Sequence, residues 1–122
     1  MISGNARSYR RYLLKLPWLK QGLYTNVGVK LAFSRIREGF ENSGFRIIAE
    51  DEKSRRFCAA SSRGADRCTC IHVVWIFQHG RSTYVSYGVD PRYYFFWLCS
   101  QGDHLDKIRR CGQIIRSALE GY

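Results

Sequence analysis

Cys68, Cys70 and His72 carry metal-ligating side chains at alternate positions. On an extended strand that spacing places all three on one face, and thiolate with imidazole is a zinc-type donor set. A strand rises ~3.3 Å per residue, so the outer two stand roughly 13 Å apart at their Cα atoms. One ion cannot bridge that span without a bulge, and Cys58, Cys99, Cys111, His79 or His104 would have to complete the shell. No C-x-x-C pair is present. The row therefore reads as small side chains packed in an interior, and no metal or other cofactor is expected.

His72, His79 and His104 are the side chains whose ordinary pKa suits proton transfer near neutrality, and a metal-free nuclease would combine one or two of them with Arg and Tyr. None stands beside a nucleophile motif. His79 adjoins Gly80 in an expected turn, His104 follows an expected helix cap, and His72 lies in mid-strand. No Walker or dinucleotide-type glycine loop occurs. The sequence assigns no catalytic residue, and an enzyme ranks behind a binding protein.

The stronger chemical signal is charge. The chain has 122 residues with 20 Lys and Arg against 10 Asp and Glu, a formal +10. Arg7, Arg10, Arg11, Lys15, Lys20, Lys30, Arg35 and Arg37 fall in the first 37 residues with no acid among them, so that third alone carries +8. Residues 38–52 reverse the sign to −4, and the remainder carries +6. Arg outnumbers Lys 15 to 5, and guanidinium groups suit bidentate phosphate contacts. Eight uncompensated cations repel one another and favour an anionic partner. Tyr9, Tyr12, Trp18 and Tyr24 are interleaved with them, a mixture that can hold phosphates while a ring meets a base. The plainer assignment gives Tyr9 and Tyr12 to a buried helix face and Trp18 to a turn. No RNA-recognition, zinc-finger or helix-turn-helix motif accompanies the charge.

These residues need elements to position them. Residues 5–16 set Tyr9, Tyr12, Leu13 and Leu16 at helical spacing, predicting an amphipathic helix ended by Pro17, with a turn over 16–22. Asn26 is the expected N-cap of a second helix with a Val29, Phe33, Ile36, Phe40 stripe and Gly44 at its left-handed end. The period then alternates. Phe45, Ile47 and Ala49 mark one strand, 50–53 a polar turn, and 56–62 a second strand, followed by a loop over 63–67. Residues 68–79 form a long strand with Ile71, Val73, Trp75 and Phe77 on one face and Val74 and Ile76 on the other. Gly80 turns the chain into 81–89, with Thr83, Val85, Tyr87 and Val89 inward and Ser82, Tyr84, Ser86 and Gly88 on the other side. The aromatic run Tyr93, Tyr94, Phe95, Phe96, Trp97, Leu98 has no usable period and is assigned to a fifth strand. A last helix takes Asp103 as N-cap and buries Leu105, Ile108, Cys111, Ile115 and Leu119, with Gly121 past its end.

The expected fold is α+β: a four- or five-stranded antiparallel sheet with two N-terminal helices and one C-terminal helix packed on a sheet face. A single domain over 1–122 is expected, with 1–22 a basic helix and turn and 26–122 the remaining helix, sheet and C-terminal helix. The longest apolar run is too short to span a bilayer, no signal-peptide core follows the basic start, and five cysteines are an odd number, so a reducing cytoplasm is expected. The leading function is a small non-enzymatic binding protein that holds RNA or DNA backbones through Arg7, Arg10, Arg11, Lys15, Trp18, Lys20, Lys30, Arg35 and Arg37. Behind it stand an inhibitor or adaptor docking on an acidic or nucleic-acid-binding surface of a larger assembly, then the nuclease, then a membrane-surface role for the first helix. The 93–98 run, apolar on both faces, offers a homodimer contact.

Overall fold

The computed structural model describes residues 19–61, 70–91 and 101–120. Its elements are β1 (Leu19–Thr25), α1 (Val29–Asn42), β2 (Phe45–Asp51), β3 (Arg56–Ser61), β4 (Cys70–His79), β5 (Ser82–Pro91) and α2 (Gln101–Glu120). The five strands form one antiparallel sheet in the order β1-β5-β4-β3-β2. Strands β2 to β5 are a meander, as their alternation and turn residues require. β1 joins at the β5 edge, so α1 carries the chain across the sheet from one edge to the other.

Both helices pack on one face. Ala32, Ile36 and Phe40 of α1 and Ile108, Cys111 and Ile115 of α2 close over Phe57, Ala59, Val74, Ile76, Val85, Tyr87 and Val89, all at most 1% exposed. Burying apolar area at ~25 cal/mol per Å² makes this layer the main source of stability. The rings of Phe33, Phe40, Phe45 and Phe57 meet edge to face with centroids 5.2 to 5.9 Å apart, the arrangement their quadrupoles favour. A smaller cluster, Ile48, Ala49, Cys58, Ala60, Ile71 and Val73, is buried on the face away from the helices.

Several expectations need correction. The turn over 16–22 is not a turn from Leu19 onward: Leu19–Thr25 is a strand paired with β5 from Leu19↔Val89 to Thr25↔Thr83. It is the fifth strand among the described residues. An edge strand has one neighbour and one buried face, so β1 carries little apolar signal beyond Leu19 and Leu23. Two helices, not three, occur among the described residues. The expected helix over 5–16, the loop over 63–67 and the run 93–98 lie outside them. The N-cap of α1 is Gly28 rather than Asn26, and no side chain caps it. Thr25 Oγ1 instead accepts from the Val27 N–H at 3.2 Å, which holds the strand-to-helix turn and delays the helix. α2 begins at Gln101, so Asp103 lies within it, and Leu105 is 40% exposed rather than part of the buried stripe.

The punctuation read from glycines holds. Gly44 (φ 88°) ends α1 and Gly80 (φ 64°) turns β4 into β5, both in the left-handed region that glycine occupies without steric cost. In β2 the register slips between Ile47 and Ala49. This bulge breaks the expected Phe45, Ile47, Ala49 face: Ala49 now pairs with Cys58 on the far side, and Glu50 comes round to the helix side opposite Phe57.

Candidate nucleic-acid interface

Of the nine residues expected to bind nucleic acid, Arg7, Arg10, Arg11, Lys15 and Trp18 lie outside the described residues. The other four are not gathered into one stripe. Lys20 is exposed on β1, on the face away from the helices, opposite Gly88. Lys30 is exposed in the first turn of α1, on the other side of the sheet, and Arg35 is half-buried on the same helix.

Arg37 is engaged within the fold. Its Nε donates to Glu50 Oε2 at 2.8 Å, and its Nη1 donates to Glu41 Oε1 at 2.9 Å. The hydrogen bond it donates to Glu50 holds the guanidinium pKa above its ordinary value, against a smaller opposing effect of burial. The β2 bulge makes this contact by bringing Glu50 to the helix side. Arg37 lines an open depression of about 590 Å³ with Phe33, Ser34, Glu38, Glu41, Glu50 and Glu52. Four carboxylates against one cation make that surface repellent to phosphate.

The face away from the helices has the opposite character at one end. Strand alternation points Trp75 and Phe77 of β4, Tyr84 of β5 and Tyr24 of β1 to this side. Their rings form a continuous row: Trp75 to Phe77 at 4.5 Å between centroids, Phe77 to Tyr84 at 5.2 Å, and Tyr84 to Tyr24 at 4.8 Å. The imidazole of His79 lies 5.5 Å from Tyr24. At the other end the Arg56 guanidinium sits 4.1 Å over the Trp75 ring, cross-strand from it. Gly22 makes the row possible, because a Cβ there would collide with the Tyr84 phenol.

The register places this row beside two cationic turns. Pairing of Arg56 with Trp75 and of His79 with Ser82 sets the β2–β3 turn (Lys53, Arg55) and the β4–β5 turn (Arg81) at the same end of the sheet. Lys53 and Arg81 are exposed; Asp51 and Glu52 are the acids nearby. Trp75, Phe77 and Tyr84 are half-buried, while Tyr24 is 59% exposed. Trp75, Phe77 and Tyr84 were legible on their faces from alternation. In sequence Tyr24 belongs to the basic N-terminal third, and what brings it here is the pairing of β1 with β5.

His72 and His79 lie on opposite faces of the sheet. His72 is 4% exposed on the helix side, edge-on to Phe45 at 4.9 Å, whereas His79 is exposed on the other face. Among the described residues no three His, Cys, Asp or Glu side chains converge as a metal cage. Cys111 is wholly buried, and that burial pushes its thiol far above the range where thiolate forms. Among the described residues no helix is long and apolar enough to cross a membrane. No protein-family model and no curated protein matches this sequence.

Proposed function

We propose that this protein binds RNA or DNA without transforming it, gripping the phosphate backbone through Lys and Arg and reading little sequence. One observation carries the proposal: in a chain of +10, the first 37 residues hold eight cations and no acid. The gathering of Glu38, Glu41 and Glu50 around the depression on the helix side supports it, since it keeps these three acids off the cation-flanked aromatic face. The separation of His72 from His79 by the thickness of the sheet supports binding over acid–base catalysis.

Fluorescence polarisation of labelled RNA and DNA against the full chain across a salt series tests this. The expected result is binding at about 50 mM salt that weakens steeply toward 200 mM, with the labelled strand recovered intact. Absence of binding at the lower salt, or an affinity indifferent to salt, overturns it. Retention of one protein partner after nuclease treatment, with no nucleic acid affinity of its own, would favour an adaptor instead.

A further inference from the structure

We infer that the face of the sheet away from the helices stacks unpaired bases on the row Trp75, Phe77, Tyr84 and Tyr24, so that single strands are bound in preference to duplexes. This rests on the nucleic-acid reading above and names the form of polymer that reading leaves open.

Surface aromatics cost solubility unless something uses them, and four consecutive rings in contact make one patch rather than scattered exposure. The occupant is set by the flanks. His79 and Arg56 close the row at its two ends, and Lys53, Arg55 and Arg81 stand on the two adjoining turns. An apolar partner helix would leave Lys53, Arg55 and Arg81 beside a dry contact. An unpaired strand satisfies both features, with bases against rings and phosphates against Lys and Arg. A duplex hides its base faces and can use the cations only. The row is long enough for about two to three bases. Tyr24 is the ring with the largest free surface, 59% exposed.

The experiment compares fluorescein-labelled oligothymidylate and oligouridylate of about 12 nucleotides with a duplex of equal length, on the full chain and its Tyr24→Ala and Tyr24→Phe variants. Tyr24 is exposed, so both variants should retain the parent melting temperature. The expected result is tighter binding of the single strands, about tenfold loss of that affinity in Tyr24→Ala, and recovery in Tyr24→Phe. Duplex affinity and the salt slope should not change, because the ring carries no charge. Equal affinity for single strand and duplex, or single-strand affinity unmoved by Tyr24→Ala, overturns the inference while leaving the backbone-binding proposal intact. Failure to bind either polymer at about 50 mM salt overturns both.

Discussion

Tyr87 joins three elements, and a pair of substitutions can measure how tightly. It is 1% exposed at the centre of β5; its hydroxyl donates to Gln21 Oε1 of β1 at 3.2 Å and lies against Gly112 in the middle of α2. A Cβ at Gly112 would stand 2.7 Å from the Tyr87 oxygen and 3.2 Å from Cζ. Two effects compete in Gly112→Ala. Helix propensity favours Ala by about 1 kcal/mol in a helix interior. Forcing a buried ring aside costs about 1–3 kcal/mol. Overpacking wins, and the net expectation is a loss of about 1 kcal/mol. Tyr87→Phe alone removes a long hydrogen bond to an exposed acceptor and should cost about 0.5 kcal/mol. In the Tyr87→Phe background the nearest obstacle to the new methyl is the ring carbon at 3.2 Å, which needs only a small shift. There Gly112→Ala should become neutral or stabilising. Urea unfolding of the four proteins gives the coupling, expected at about 1–2 kcal/mol. Additivity within about 0.5 kcal/mol would refute the placement of Tyr87 against α2. The same residue sets a pH dependence. Burial, opposed by Arg116, raises its phenol pKa above the ordinary 10.0. A group whose folded pKa is raised contributes stability that is complete below the unfolded value and lost as pH rises through the folded one. Stability should therefore fall above pH 10, and more gently in Tyr87→Phe.

Other perturbations test separate parts of the fold. Arg37→Met removes an ion pair whose side chains are 32% and 34% exposed, so it should cost no more than about 1 kcal/mol in urea unfolding, with the difference shrinking in about 1 M salt. Arg55 holds φ at 55° in the β2–β3 turn, where a β-branched residue fits badly. Arg55→Val should unfold at lower denaturant than Arg55→Gly by about 1–2 kcal/mol, and equal midpoints would refute the left-handed turn. Cys58 and Cys111 are wholly buried, so iodoacetamide at about pH 8 should alkylate them only in denaturant; mass spectrometry of the native protein showing either modified would contradict their burial.

The cation-flanked aromatic row shows how far local pattern reaches. Alternation alone puts Trp75 and Phe77 on one face of β4 and sets Tyr84 opposite the inward residues of β5, because successive strand side chains point to opposite sides whatever the partners. It does not say which strands are neighbours. Leu19–Thr25 has Gly22 at its centre, and the face that carries Leu19 and Leu23 also carries Gln21 and Thr25, so nothing local separates it from a turn. Its backbone becomes a strand by pairing with β5, and that pairing delivers Tyr24 to Tyr84 across sixty residues of sequence. The Arg37 and Glu50 contact is similar: the charges are plain in the chain, but the β2 bulge that turns Glu50 toward α1 is a property of the β2–β3 register.

The amino-acid sequence by itself determined the charge balance, the α+β class, the meander from β2 to β5, the stripe of α1 and the turns at Gly44 and Gly80. Each follows from composition, period or the φ of a single residue, which are local quantities. Tertiary structure decided the fifth strand, the pairing of Arg37 with carboxylates rather than with solvent, and the assembly of four aromatic rings from three strands. Those depend on which backbone edges meet, a choice made by the free energy of the whole sheet and its covering helices rather than by any segment alone.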